Sequence, residues 1–232
     1  AILRYPVRLA GVPSVSTSER PAVSLVSVIV PCFNYANYVG DALRSILEQD
    51  YPAIELIVID DGSTDDSALR IEEALSGWRS YPAMHRVEFI RQPNQGVSAA
   101  LNRGLDLARG EFVATFDADD IMVPGRIALQ ADYLVAHPEV GCLGGRPVRI
   151  DQNGAVLPKK TKAREVRRYD FAQALAQALV VGGNLVMYRR EAMLAVGKYD
   201  PQLRVQDFQM TLKIAHAGYH AVSYTHLRAH ET

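Results

Sequence analysis

Two apolar runs in this 232-residue chain end in bunched aspartates. Leu56-Ile57-Val58-Ile59 runs into Asp60-Asp61-Gly62-Ser63, and Phe112-Val113-Ala114-Thr115-Phe116 runs into Asp117-Ala118-Asp119-Asp120. An unpaired buried carboxylate is costly, so an apolar strand that ends in several of them needs compensation. A divalent cation, or donors on a bound ligand, would supply it. Ligands of open α/β sheets bind beyond the carboxyl ends of the strands. The two clusters are therefore expected to face one cleft that holds a metal and a phosphorylated ligand.

Alternating elements have to position those clusters. Leu25 to Val30 is a continuous apolar run ended by Pro31, a buried-strand signal. Val39, Ala42, Leu43, Ile46 and Leu47 follow helical spacing. Ile54 to Ile59 reads as the next strand, and Asp65 and Asp66 open a helix whose dipole they complement. Val87 to Ile90 is a third strand. A third helix carries Val97, Ala100, Leu101, Leu105 and Ala108, with Gly110 as its expected C-terminal cap. Phe112 to Phe116 is the fourth strand, and Pro124 suits the first turn of a following helix. Repeated strand–helix units imply a parallel sheet with helices on both faces. After His137-Pro138 the pattern changes. Val140 to Ile150 and Asn184 to Arg189 read as strands, and Asp170 to Val181 and Phe208 to Ala217 as helices.

Hydrophobic residues make up 48% of the chain and charged residues 22%, which suits one substantial globular core. A net charge of −1 gives no support for nucleic-acid binding. Cys32 and Cys142 give no disulfide framework and suit a reducing compartment. No apolar run is long enough to span a bilayer. Residues 1–23, rich in Pro and Ser, read as a tail or linker without the apolar core of a signal peptide.

At these residues the chain resembles family 2 glycosyltransferases of the GT-A fold. The resemblance rests on Val28-Ile29-Val30-Pro31-Cys32-Phe33-Asn34, on Asp60-Asp61-Gly62-Ser63-Thr64-Asp65, on Asn94-Gln95-Gly96 with Ala99, Asn102, Gly104 and Gly110-Glu111, and on Asp117-Ala118-Asp119. It runs from about Val26 to Gly218 with the motifs in the family's order. It implies an α/β fold, GT-A-like, with a mostly parallel central sheet and helices on both faces. A Rossmann-like nucleotide-sugar half would span 24–137 and an α+β acceptor half 138–222. It also implies inverting transfer from a nucleotide-diphosphate sugar, UDP-linked in many members, to an acceptor hydroxyl on a carbohydrate or lipid-linked molecule. Such enzymes serve polysaccharide, lipopolysaccharide, lipid or protein glycosylation. The implied location is the cytoplasm, with room for peripheral association with the inner face of the membrane.

By the matching positions, Phe33 would flank the base and Asp61 would accept a hydrogen bond from it. Pro31, Asn34, Gly62, Ser63, Asn94, Gly96, Asn102 and Asp117 would complete the nucleotide-sugar site. Asp119, with Asp117, would hold Mg²⁺ or Mn²⁺. Asp207 would be the general base, although Gln206 stands where the family usually has glutamate. The chemistry suits these residue types. Both ions take hard oxygen ligands and keep water and phosphate oxygens, so one or two carboxylates suffice. A carboxylate within reach of the acceptor hydroxyl can take its proton.

Plainer readings stand beside these. Asp61-Gly62-Ser63-Thr64 could be a turn and a helix cap, Asp207 a cap, Phe33 a core residue, and Asn102 and Gly104 packing residues. Lys159, Lys160, Lys162, Arg164, Arg167 and Arg168 form either a solvated segment or an acceptor-side loop that meets anionic lipid or phosphate. A sugar-phosphate nucleotidyltransferase would carry a glycine-rich, basic loop after the first strand, where this chain has Pro31-Cys32-Phe33-Asn34-Tyr35-Ala36-Asn37. No P-loop pattern occurs. A non-catalytic sugar-nucleotide-binding module remains open. Residues 223–232 resemble translated sequencing-adapter read-through, so the natural chain is expected to diverge near Val222. His226 and His230, spaced like a helical metal pair, are set aside for that reason.

Overall fold

The computed structural model describes residues 23–145, 148–149, 166–177, 181, 185–203, 205–224 and 230–231. Its first half alternates strand and helix: β1 (Val26–Cys32), α1 (Val39–Leu47), β2 (Ile54–Asp60), α2 (Ser67–Leu75), β3 (Met84–Arg91), α3 (Val97–Leu107) and β4 (Phe112–Thr115). Next come β5 (Asp120–Ile121), α4 (Arg126–Ala136), β6 (Val140–Gly144), β7 (Val148–Arg149), β8 (Val166–Tyr169) and α5 (Phe171–Ala176). The last elements are β9 (Met187–Arg189), α6 (Arg190–Ala195), α7 (Gln206–His216), β10 (His220–Tyr224) and β11 (His230–Glu231).

Eight strands form one sheet in the order β3-β2-β1-β4-β9-β6-β10-β8. The block β3-β2-β1-β4 is parallel, as is β6 with β10. β9 runs antiparallel to both β4 and β6, and β8 is antiparallel to β10. The expected GT-A-like α/β architecture is therefore present. Strand alternation divides the core. Val28, Leu56, Val58 and Ala114 pack on one face with Leu43, Ile46, Ile71 and Ile127 of α1, α2 and α4. Ile29, Ile57 and Val113 pack on the other with Leu101, Met193 and Ile214 of α3, α6 and α7. Both cysteines are free and buried within these layers.

The strand order reverses at β1 and β4, and the two strands part there. β1 pairs with β2 as far as Cys32–Asp60 but with β4 only as far as Ile29–Thr115. Odd-numbered carbonyls of β1 face β4: Leu25 O accepts from Phe112 N, and Ile29 O accepts from Phe116 N. Cys32 O instead accepts from Asp61 N on the β2 side. Pro31 therefore turns toward β4 the one position without an N–H, and the ladder cannot continue. The resulting crevice lies beyond the carboxyl ends of the strands, where such sheets bind ligands.

Several boundaries differ from the sequence reading. Gly110 does not cap α3, which ends at Leu107 with Ala108 as its C-cap. A Cβ on Gly110 would lie 2.7 Å from Leu25 O, so the glycine is needed for contact with β1. α4 begins at Arg126, after Gly125 in the left-handed region (φ 78°), and Pro124 lies outside its first turn. The expected strand Val140 to Ile150 divides into β6 and β7, which belong to different sheets. β10 carries the ladder through Ser223 and Tyr224, and β11 pairs with β5 and β7, within the segment expected to be foreign. No helix among the described residues is long and apolar enough to cross a membrane.

At the edge opposite the crevice, buried Glu55 of β2 accepts from Ser27 Oγ (2.6 Å), Arg109 N (2.9 Å) and Arg86 Nη1 (2.7 Å). Ser27 Oγ in turn accepts from Gly110 N (2.9 Å), so one carboxylate fixes where β4 enters the sheet. Removing one member of a buried charged network costs about 3–5 kcal/mol. Glu55→Ala is expected to lose stability on that scale in urea titrations.

Candidate functional site

The first acidic cluster is satisfied from within the protein. Asp60, fully buried, accepts from Ser63 N (3.0 Å) and Arg91 Nε (3.0 Å). Asp61 Oδ1 accepts from Gln92 Nε2 (2.7 Å) and Gln95 N (3.0 Å), and its Oδ2 from Gly96 N (2.8 Å). This corrects the premise that both clusters need outside compensation. Asp61 folds the loop before α3 around itself, with Gly96 (φ 88°) at the N-cap. Gly62 (φ 78°) completes the turn. A Cβ there would lie 2.7 Å from Asn94 N. The Asn94 side chain is exposed above that contact.

The loop after β1 is stitched to the loop after β2. Asn34 (φ 61°) donates its N–H to Ser63 Oγ (2.9 Å), and its Oδ1 accepts from Thr64 N (2.8 Å). Tyr35 N donates to Ser67 Oγ (2.8 Å), and Ala36 N to Asp65 Oδ2 (3.1 Å). Asn34 and Ser63 are thus occupied with each other's loops. The stitched loop turns three aromatic rings outward: Phe33, Tyr35 and Tyr38 are 43%, 36% and 47% exposed. Phe33 is therefore not a core residue. Tyr35 and Tyr38 meet edge to face at 6.5 Å.

Across the crevice lies the second cluster. Asp117 is exposed, Asp119 half-buried and Asp120 buried, and their carboxylate oxygens lie within 4.8 Å of one another. Three hard oxygen donors at that spacing fit Mg²⁺ or Mn²⁺. The Tyr35 phenol is held above its usual pKa, first by burial and then by the charges of Asp119 and Asp117. Tyr35, on the aromatic loop, is therefore within electrostatic reach of the acidic cluster. Its place beside Phe33 and Asn34 was the available sequence signal.

Asp207 lies in the first turn of α7, where the N-cap is Val205 and no side chain caps the helix. The helix-cap reading of Asp207 therefore fails. Asp207 is half-buried, and burial holds its pKa above the usual carboxylate range. Two buried phenols, Tyr188 of β9 and Tyr199, are pushed up by burial and, among further causes, by the Asp207 charge. The Asp117 charge is the smallest of the causes that act on Tyr199. Tyr199 is fixed by Asn102: Asn102 Nδ2 donates to Tyr199 O (2.8 Å) and Asn102 Oδ1 accepts from Tyr199 N (2.9 Å). Both ends of the Asn102 amide are therefore committed within the protein. Gly104 packs α3 on β1, with room for no Cβ beside Ile29. Of the basic stretch, Lys159 to Arg164 lies outside the described residues, and Arg168 pairs with Glu139 at 3.0 Å.

The raised pKa of Asp207 has a consequence for stability. The native state holds that proton more tightly than the unfolded chain. The associated stability is present below the ordinary carboxylate pKa and is lost as pH rises through the raised one. Asp207→Asn is therefore expected to be more stable than the parent near neutral pH. The advantage should disappear at about pH 3, below the ordinary carboxylate pKa. Urea titrations at both values read the difference.

Comparison with known proteins agrees with this geometry. The family model for glycosyl transferase family 2 matches residues 27–197. A poly-beta-1,6-N-acetyl-D-glucosamine synthase of Staphylococcus epidermidis is 28% identical over 202 residues, covering 85% of this chain and 47% of the relative. Chondroitin synthase of Escherichia coli is 27% identical over 196 residues, covering 84% of this chain and 27% of the relative. This chain thus spans about half or less of these relatives' length. Among solved structures, a mannosyltransferase of Pyrobaculum calidifontis in complex with GDP-Man and Mn²⁺ has a TM-score of 0.70 at 24% identity, covering 90% of this chain and 57% of that one. TarS 1–349 of S. aureus in complex with UDP-GlcNAc has a TM-score of 0.71 at 22% identity, covering 90% and 58%. With three quarters of its length inside the family model and its sheet built to the same plan, the chain belongs to glycosyltransferase family 2.

Proposed function

We propose that this chain transfers a sugar from a nucleotide-diphosphate sugar, UDP-linked, to the hydroxyl of a carbohydrate or lipid-linked acceptor, with inversion at the reacting carbon. The observation that carries the reading is the arrangement around the β1/β4 crevice. An aromatic loop lies on one side and three clustered carboxylates on the other. The named products and bound ligands of the relatives and fold neighbours support a nucleotide sugar as donor.

Phe33 offers the base a face, and Asp61 retains acceptor capacity beyond its three protein donors. By the family's matching positions, Pro31, Asn34, Gly62, Ser63, Asn94, Gly96 and Asn102 would complete the nucleotide-sugar site. Asp119 and Asp117 would hold Mg²⁺ or Mn²⁺, which when bound supplies a Lewis acid for the charge that builds on the leaving diphosphate. Asp207 takes the acceptor's proton. Its raised pKa brings it closer to the working pH, where a general base is most effective. Gln206 beside it leaves a second reading, a non-catalytic sugar-nucleotide-binding module.

Calorimetric titration with UDP, with and without Mn²⁺ and beside GDP and ATP, tests the donor site. Metal-dependent binding of UDP alone is expected, and Asp119→Ala should remove the metal dependence. Unchanged Mn²⁺-dependent affinity in that variant sinks the metal assignment. Asp207→Asn should keep donor affinity and lose about 10²–10⁴-fold in transfer. A parent chain that binds UDP yet transfers to no acceptor favours the binding module.

A further inference from the structure

Between α6 and α7 the chain passes through Gly197 (φ 86°) and Lys198 (φ 60°), both in the left-handed region. A lysine adopts that region rarely, so the surrounding contacts must hold it there. Every backbone N–H and C=O from Lys198 to Asp200 is engaged. Lys198 N donates to Met193 O (3.1 Å), and Asp200 O accepts from Leu203 N (3.2 Å). Side chains of two helices take the others. Asn102 of α3 grips Tyr199 at both ends: Tyr199 N donates to Asn102 Oδ1 (2.9 Å), and Asn102 Nδ2 donates to Tyr199 O (2.8 Å). From α7, Lys213 Nζ donates to Lys198 O (2.8 Å), and Gln209 Oε1 accepts from Asp200 N (3.0 Å). Lys198 Nζ reaches back to α3 and pairs with Asp106.

Residues 198–200 are therefore a bridge between α3 and α7, which pack on the same face of the sheet through Leu101, Leu105, Met210 and Ile214. Apolar burial is non-directional, whereas paired hydrogen bonds fix distance and angle. The bridge meets α7 at Gln209, in the same first turn as Asp207. At its own N-terminus α3 is held by Asp61, which accepts from Gln95 N and Gly96 N. One helix thus ties the loop around Asp61 to the turn that carries Asp207.

We propose that Asn102 is a positioning residue for Asp207, holding the first turn of α7 in place through Tyr199, Asp200 and Gln209. The inference deepens the general-base reading above and rests on it. A base must stand within hydrogen-bond reach of the acceptor's proton, and small displacements are costly in rate. Asn102 serves the transfer without touching the donor, because both ends of its amide are spent on Tyr199.

The test follows the Asp207 carboxyl by ¹³C NMR across pH in the full chain, with Asn102→Ala beside the parent. Burial holds Asp207 of the parent above the ordinary carboxylate range. A first turn released from the bridge admits water, so the midpoint in Asn102→Ala should fall toward that of an exposed aspartate. UDP affinity in the presence of Mn²⁺ should stay within about twofold of the parent's. Gln209→Ala cuts the far end of the same bridge. It should move the midpoint in the same direction, and it takes over the test should Asn102→Ala fail to fold. Glu55→Ala, destabilising at the edge opposite the crevice, should leave the midpoint unchanged. An unmoved midpoint in the bridge variants overturns the proposal. An equal fall in Glu55→Ala overturns it too, since the midpoint would then report stability alone. A loss of UDP affinity of about tenfold or more in Asn102→Ala would place that amide on the donor and also overturn it. Should the parent bind no UDP, or Asp207→Asn keep its transfer, the functional reading fails while the titration still decides whether Asn102 positions Asp207.

Discussion

Beyond Ile29, β1 keeps its ladder to β2 and loses its ladder to β4, and the rest of the site depends on that separation. The cause is one missing N–H at Pro31, on the side of β1 that faces β4. Where the strands part, the chain must run into loops on both sides of a gap. One loop carries Phe33, Tyr35 and Tyr38, and the other carries Asp117, Asp119 and Asp120. A sheet paired to its end would have brought these groups together as neighbours in a closed ladder, with no space between them.

The two acidic clusters then solve one electrostatic problem in two ways. Asp60 and Asp61 are buried, and backbone and side-chain donors of the protein answer them. Their negative charge becomes an organising centre for the turns that follow β2 and β3. Asp117 and Asp119 keep contact with solvent, and Asp120 beside them is buried. The first arrangement is rigid scaffold. The second is a carboxylate cluster whose spacing fits a divalent cation.

The parallel half of the fold was legible because buried strands and amphipathic helices leave periodic signatures, as in Ile54 to Asp60 and in α1. The second half was less so. β6 and β7 form one strand-like stretch in sequence, and tertiary pairing sends them to different sheets. Asp61 was recognised as important, but its donors come from residues about thirty positions away, which no local pattern reveals. Asn102 was placed in the site by resemblance, whereas its amide is committed to the backbone of Tyr199. Arg126 gave no signal at all. A basic residue at the start of an amphipathic helix ordinarily faces water, and here it is buried by the strands that α4 covers.

The position of β9 bears on how such a protein can be recombined. It runs antiparallel between β4 and β6, so chain from the second half returns to the middle of the sheet rather than extending its edge. The two halves therefore interlock. A chimera cut after α4 that replaced all later sequence would strip β4 of its neighbour and expose the strand that leads into Asp117. A workable graft would have to keep β9, with Tyr188 and its turn into α6, together with the first half of the chain. The seam between modules thus follows hydrogen-bond ladders and not the order of the chain.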